Sequence, residues 1–166
     1  MGTPQENFDQ GVKLRLAGNE AFKKQDYKGA LTNYYNALLY LKAVGGQKLK
    51  DQYKVSGDEQ LVMIYNNMSA VFAKQERWDR VLFYAKKANE LDSQNTKSKF
   101  RMGQAYLQLE DIEKAKELLE EVLALNPEDA LVKKELQKVS IAIRQMDDKE
   151  KLIYRAMMTK LSQEKK

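Results

Sequence analysis

An internal repeat of 34 residues constrains this chain more than any other feature of its sequence. Residues 96–129 contain two short segments of helical apolar periodicity that meet at Leu109–Asp111. Moving back by one unit places residues 62–95 on the same frame without a gap, and a third copy covers residues 11–44. Apolar side chains at spacings of three and four residues are typical of amphipathic helices. Each copy therefore predicts one helix–turn–helix hairpin.

The hairpins are expected to stack on one another, because a single hairpin cannot bury its own apolar face. A polar insertion at residues 45–61 separates the first two copies, and residues 1–10 are predicted to be a flexible lead. Residues 130–166 are predicted to cap the last hairpin and to continue as an extended helix. The apolar stripe of that cap consists of Leu131, Leu136, Val139, Ile143 and Met146. The predicted fold is all-α, an α-solenoid of three hairpins with a long C-terminal capping helix.

Local signals predict where the helices begin and end. The first helix is expected from about Asp9 to Lys24, and Gly45–Gly46 are expected to end the second. Ser56–Glu59 has the pattern of a capping box and predicts the start of the next helix. Asn126–Pro127 predicts an N-cap followed by proline at the first position of the capping helix.

The composition excludes several classes of function. The chain has no Cys and no His, so it has neither a thiolate nor an imidazole for catalysis or metal binding. We therefore predict no enzyme activity, no cofactor and no metal site. No run approaches the roughly 18 apolar residues that a membrane span needs. The first residues lack the apolar core of a signal peptide, and we predict a cytoplasmic protein.

The repeat resembles a known family. A helix–turn–helix unit of 34 residues with small and aromatic side chains at fixed places is similar to the tetratricopeptide repeat. In the first copy those places hold Gly18, Phe22, Tyr27, Ala30, Tyr34 and Ala37. The extended first hairpin with its insertion resembles the repeat domains of the large FK506-binding immunophilins. In that family a segment similar to residues 149–161, KEKLIYRAMMTKL, is associated with calmodulin binding, so the resemblance implies calmodulin as a partner.

Unpaired cations mark a candidate binding surface. In a stacked array the first helix of each hairpin lines a concave groove, and groove side chains recur every three or four residues. Several Lys residues have an acid at that spacing on their own helix, for example Lys23 with Glu20. Four groove cations have none, which predicts an external anion: Arg15, Lys74, Lys97 and Arg101. Lys99 also lacks such an acid, but it is predicted to face away from the groove.

The residues around these cations indicate which kind of anion would bind. Two cations from the third repeat, one from the first and Asn side chains from the first and second suit one or two carboxylates on a short peptide. The resemblance then implies a dicarboxylate clamp for the C-terminal EEVD tail of Hsp90 or Hsp70. Its Lys, Asn, Asn, Lys and Arg positions are occupied here by Arg15, Asn19, Asn67, Lys97 and Arg101. Arg15 departs from the family's Lys, although it keeps the charge and can bind a carboxylate through two N–H groups.

Supporting groove residues and alternatives complete the prediction. The supporting residues are Phe22, Lys74 and Gln104. In the alternative reading of the clamp, groove Asn side chains hydrogen-bond a neighbouring helix. Alternative functions are a scaffold for another acidic peptide or for calmodulin, and the non-catalytic half of an FK506-binding peptidyl-prolyl isomerase. Nucleic acid is disfavoured because the groove cations lack an aromatic stacking platform.

Overall fold

Within residues 2–43 and 50–164, which the computed structural model describes, the chain forms seven α-helices. They are α1 (Pro4–Lys23), α2 (Tyr27–Ala43), α3 (Lys50–Lys74), α4 (Trp78–Leu91), α5 (Thr96–Gln108), α6 (Ile112–Leu125) and α7 (Ala130–Glu164). Helices α1 and α2, α3 and α4, and α5 and α6 form three packed hairpins. Neighbouring hairpins pack on each other through α2 with α3 and through α4 with α5. Helix α7 packs on α6 of the last hairpin. The predicted solenoid of three hairpins with a long C-terminal helix is confirmed.

Each hairpin turns at a residue in the left-handed region of the backbone. The residues are Gln25, Glu76 and Glu110, with φ of 63°, 57° and 66°. They occupy the same place in each repeat, although each carries a side chain that makes this conformation uncommon. In the first and third turns the next residue is an Asp whose Oδ1 accepts from a backbone N–H of the following helix, at 3.0 Å for Asp26 and 3.4 Å for Asp111. The repeat register of the sequence is therefore reproduced in the turns.

Small residues allow the helices of a hairpin to approach closely. A Cβ placed on Gly18 would lie 2.5 Å from Tyr34 Cε1, and one on Gly103 would lie 2.8 Å from Leu119 Cγ. The core of the first two hairpins includes several aromatic rings, and Phe72 stacks on Tyr84 with centroids 5.5 Å apart. A second core joins α5 and α6 to the first half of α7.

Helix α1 begins at Pro4, earlier than the predicted start at about Asp9. Thr3 Oγ1 accepts from the Glu6 N–H at 3.2 Å, and Glu6 Oε2 accepts from the Thr3 N–H at 3.0 Å. This reciprocal capping box, with proline at the first helical position, starts the helix. The prediction of a flexible lead over residues 1–10 is therefore wrong from Pro4 onward.

Helix α3 begins at Lys50, so Ser56–Glu59 lies inside the helix and the capping box predicted there is wrong. Most of the insertion is an N-terminal extension of α3, and it packs on α1 through Phe8 and Tyr53, whose ring centroids are 5.9 Å apart. Contacts with α1 thus stabilise helix before Ser56, the residue at which the local sequence pattern predicts that the helix begins. The predicted stop at Gly45–Gly46 lies outside the described residues.

Helix α7 begins at Ala130, and its N-terminus is capped by Asp129 and not by Asn126 as predicted. Asn126 instead ends α6, where its N–H donates to the Val122 carbonyl at 3.1 Å. In the predicted stripe Val139 is buried, whereas Leu131 and Met146 are 66% and 51% exposed. The first part of α7 caps the last repeat, and its side chains from Arg144 onward are exposed. None of the described helices is both long and apolar enough to cross a membrane.

Candidate anion-binding groove

Three predicted clamp residues meet at one cavity of about 370 Å³ between α3, α5 and the start of α7. Asn67 comes from α3, and Lys97 and Arg101 come from successive turns of α5. The other residues that line the cavity are Asn66, Ala70, Thr96, Phe100, Val122, Asp129, Leu131 and Val132. We call this cavity and the adjoining surface of α1 the groove. It offers amide and cationic donors next to an apolar wall.

Asn19 is joined to this cavity through Asn67. Asn67 Nδ2 donates to Asn19 Oδ1 at 2.9 Å, and the Tyr34 hydroxyl donates to the same oxygen at 2.6 Å. The alternative reading, in which a groove Asn bonds to a neighbouring helix, therefore applies to the Asn19 oxygen. The Asn19 Nδ2 has no hydrogen-bond partner among the described residues, so its two N–H groups are not used by a neighbouring helix.

Arg15 lies one turn before Asn19 on α1. Its Nε donates to Gln60 Oε1 at 2.8 Å, which ties the guanidinium to the helical extension of α3. The charge of Arg15 also acts on Tyr34, where it opposes the stronger effect of burial, which raises the pKa of Tyr34 to about 12. Arg15 is therefore held at the Asn19 end of the groove.

Arg101 is half-buried and is positioned by its own helix. Its Nη1 donates to Gln104 Oε1 at 3.0 Å, and its guanidinium carbon lies 5.7 Å from the centre of the Phe100 ring. Burial lowers the pKa of Arg101, and the negative charge of Glu135 on α7 opposes that shift. Gln104, predicted as a supporting residue, thus orients Arg101.

The groove cations have no salt bridge within the described part of the chain. The salt bridges there belong to other cations, and they include Lys23 with Glu20 at 3.4 Å and Lys116 with Glu120 at 4.0 Å. Lys99, which lacked an acid on its own helix, is paired across to α6. Spacing along one helix therefore missed the Lys99 partner.

Two carboxylates near the groove were not among the predicted site residues. Asp129 lines the cavity, and its Oδ1 accepts from the N–H groups of Leu131 and Val132 at 3.0 and 3.2 Å. Glu135 is 5% exposed, and its Oε1 accepts from Lys138 Nζ at 3.0 Å. Its Oε2 is buried without a hydrogen-bond partner in the described residues. Asp129 belongs to the helix-start pattern of residues 126–129, whereas Glu135 lies outside that pattern.

Phe22 and Lys74 do not line the cavity. Phe22 packs against the core, with its ring centroid 5.9 Å from that of Tyr27. Lys74 is exposed at the last residue of α3. Their predicted supporting roles stay predictions. Within residues 2–43 and 50–164 no group of three or more metal-ligating side chains is found.

The fold and the repeat register agree with the comparison to known families. The family model of the tetratricopeptide repeat matches residues 72–138. The described helices have the fold of a tetratricopeptide-repeat domain, and this domain is similar to the TPR-containing domain of an FK506-binding protein and to an Hsp90 co-chaperone.

Two curated relatives make the likeness specific. Peptidyl-prolyl cis-trans isomerase FKBP4 of Bos taurus is 28% identical over 160 residues, which are 96% of this chain and 34% of that protein. Inactive peptidyl-prolyl cis-trans isomerase FKBP6 of Equus caballus is 31% identical over 137 residues, which are 82% of this chain and 42% of that protein. The chain thus spans about a third to two fifths of the length of these relatives.

Three solved structures share the fold. The C-terminal TPR-containing domain of a Plasmodium falciparum FK506-binding protein matches with a TM-score of 0.75 and 22% identity, over 90% of this chain and 97% of that one. The first TPR of Spaghetti (RPAP3), bound to the HSP90 peptide SRMEEVD, matches with 0.65 and 23%, over 82% and 97%. The second TPR domain of human RPAP3, in complex with the HSP70 peptide SGPTIEEVD, matches with 0.61 and 21%, over 82% and 98%.

Proposed function

We propose that the groove binds the acidic C-terminal peptide of Hsp90 or Hsp70, and that the domain is the interaction module of a co-chaperone. Lys97 and Arg101 would bind the carboxylates together with Asn67, while Asn19 and Arg15 would extend the site along α1. The proposal depends chiefly on one observation: the side chains of Asn67, Lys97 and Arg101 line the same cavity. None of the described acids forms a salt bridge with Lys97 or Arg101.

The peptides of the two RPAP3 complexes support this choice of ligand. Both peptides end in EEVD, so the final Asp of each carries two carboxylates, one on its side chain and one at the C-terminus. The donors in the groove suit such a pair, because charge-assisted hydrogen bonds to carboxylates contribute about 1.5 to 3 kcal/mol each. The apolar wall of Phe100, Val122 and Leu131 suits the valine that precedes the final aspartate.

The test is a titration of the domain with SRMEEVD as the free acid and as the C-terminal amide. We expect the free acid to bind more tightly, and we expect its affinity to fall as salt rises, because Lys97 is exposed to solvent. Lys97→Ala combined with Arg101→Ala should abolish measurable binding. Lys116→Ala is the matched control, since Lys116 is an exposed cation on α6 that pairs with Glu120. Equal affinity for acid and amide, or full affinity in the double variant, would refute the proposal.

A second candidate is calmodulin binding by the distal part of α7. Six large apolar side chains between residues 152 and 161 of α7 are exposed: Leu152, Ile153, Tyr154, Met157, Met158 and Leu161. Arg155 and Lys160 lie among them, as in amphipathic helices that bind apolar grooves of acidic proteins. Calcium-loaded calmodulin should bind the intact domain, and Met157→Ala with Met158→Ala should weaken that binding. Binding of equal strength without calcium would contradict this candidate.

The likeness to FKBP4 supports one further proposal, that this domain is the non-catalytic part of a longer FK506-binding isomerase. The match covers 34% of FKBP4, and isomerase chemistry would then have to come from a linked domain. Sequencing the complete transcript tests this directly. A transcript that encodes only the repeat domain would exclude the linked isomerase and would leave the peptide-binding proposal intact.

A further inference from the structure

A buried tyrosine lies directly behind the Asn19 end of the groove. Tyr34 on α2 is fully buried, and its hydroxyl donates to Asn19 Oδ1 at 2.6 Å. Asn67 Nδ2 donates to the same oxygen at 2.9 Å. An amide oxygen has two lone pairs, so these two donors satisfy it completely. If the Asn19 amide flipped, its NH2 group would face the NH2 group of Asn67.

We propose that Tyr34 is a positioning residue that fixes the Asn19 amide with its Nδ2 toward the groove, where it donates to a peptide carboxylate. This inference rests on the proposed function of the groove. It adds a residue of α2 to a site that the sequence placed on the first helices of the hairpins. Tyr34 itself does not touch the peptide, and it acts through Asn19.

The position of the tyrosine ring is set by its neighbours. A Cβ on Gly18 would lie 2.5 Å from Tyr34 Cε1 and 3.0 Å from Cζ, so the absence of a side chain at Gly18 makes room for the ring. The surrounding core includes Ala30 and Ala37, which are fully buried. A ring that is enclosed in this way cannot move its hydroxyl without disturbing the packing. A tyrosine hydroxyl is protonated at neutral pH, and burial, which raises the pKa of Tyr34 to about 12, keeps it protonated into the alkaline range.

The corresponding place in the third repeat is filled without a hydroxyl. There Leu119 lies against Gly103 as Tyr34 lies against Gly18. The residue after Gly103 is Gln104, and its Oε1 accepts from Arg101. An aliphatic side chain is thus sufficient for packing against the glycine. The hydroxyl is found in the repeat in which that glycine, Gly18, is followed by Asn19. This pairing indicates that the Tyr34 hydroxyl serves the orientation of Asn19 and not packing alone.

The orientation has a consequence for ligand choice. With its oxygen occupied, Asn19 presents only N–H donors to the groove, and donors suit a carboxylate. A C-terminal amide has one acceptor oxygen instead of two and carries no negative charge, so it suits these donors less well. Without the Tyr34 hydroxyl, the Asn19 amide would be held by Asn67 alone and could turn its oxygen outward. The preference for the free acid over the amide should then fall.

The experiment compares Tyr34→Phe with wild type in titrations of SRMEEVD as the free acid and the amide. We expect Tyr34→Phe to weaken free-acid binding by about three- to tenfold, the loss of one hydrogen-bond constraint, and to leave amide binding unchanged. Tyr84→Phe is the matched control, because it removes a buried hydroxyl that contacts Tyr35 and not Asn19. In an Asn19→Ala background, Tyr34→Phe should have no further effect. A full free-acid preference in Tyr34→Phe, or an equal loss in the Asn19→Ala background, would overturn the inference.

A measurement on the wild type covers the case in which Tyr34→Phe does not fold. The Asn19 side-chain NH2 signals in a ¹⁵N–¹H spectrum, assigned by their loss in Asn19→Ala, should shift when the free acid binds and stay in place with the amide. Signals that do not move while the free acid binds would overturn the positioning role and leave the proposed function standing. If the wild type itself does not prefer the acid, the proposed function is the part that fails.

Discussion

Lys99 Nζ lies 2.6 Å from Glu121 Oε1, so that a nearly buried cation on α5 is neutralised from α6. The Lys99 side chain is 10% exposed, whereas that of Glu121 is 48% exposed. Lys97, two residues earlier on the same helix, is exposed and lines the groove. Neighbouring lysines on one helix therefore have different roles, and this difference can be tested.

We expect Lys99 to affect stability and Lys97 to affect binding. Glu121→Ala should lower the free energy of unfolding by about 1 to 3 kcal/mol, because it leaves the buried Lys99 charge without its partner. Lys99→Met should cost less, because it removes the charge and keeps the packing. Lys97→Met should leave stability unchanged and weaken binding of SRMEEVD. Urea unfolding and peptide titration of all three variants measure this, and a loss of peptide affinity in Lys99→Met would contradict it.

Substitution of glycines should have opposite effects at packed and open places. Gly18→Ala and Gly103→Ala should each destabilise the fold by about 1 to 3 kcal/mol, because the new Cβ would overlap the side chains of Tyr34 and Leu119. Gly57→Ala is the matched control within α3, where a Cβ meets no atom within 4 Å. It should stabilise the helix by about 0.5 to 1 kcal/mol. Thermal unfolding measures all three, and a stabilising Gly18→Ala would show that the hairpin can widen without cost.

Burial of Tyr34 should make stability fall at alkaline pH. Its pKa is raised from the ordinary 10.0 to about 12, so above pH 10 the native state keeps a proton that the unfolded chain releases. The stabilising contribution is complete below pH 10 and is lost as pH rises toward 12, by about 1.4 kcal/mol for each pH unit. Burial also raises the pKa of Tyr84, which adds to the same trend. Urea unfolding between pH 8 and 11 should show a shallower decline for Tyr34→Phe, and identical slopes would contradict the assignment.

Removal of the Glu135 charge should tighten peptide binding. Glu135 on α7 lies close enough to Arg101 to raise its pKa against the effect of burial, and so it offsets part of the positive potential in the groove. Glu135→Gln should strengthen SRMEEVD binding by about two- to fivefold at low salt, with a smaller effect at high salt. Glu113→Gln, an exposed change of the same kind on α6, is the control. Weaker binding by Glu135→Gln would instead mean that its carboxylate is needed to hold Arg101 in place.

The repeat fold could be predicted because it depends on local periodicity. Small residues such as Gly18 and Gly103 recur in register with apolar side chains, and this pattern is sufficient to predict hairpins that stack. The helix ends were less predictable, since Ser56–Glu59 and Asn126–Pro127 carry genuine start signals. Contacts of α3 with α1 outweighed the first signal, and the Asp129 side chain provided the cap that Asn126 was expected to supply.

The sequence by itself determined the solenoid and identified cations with no acid on their own helix. The tertiary structure decided which of them have no salt bridge within residues 2–43 and 50–164, because spacing along one helix does not reveal an acid on the next helix. It paired Lys99 with Glu121, brought Glu135 toward Arg101, and placed Tyr34 behind Asn19. These relationships depend on how helices of different repeats and the capping helix pack, and only the folded chain brings those side chains within hydrogen-bonding or electrostatic range.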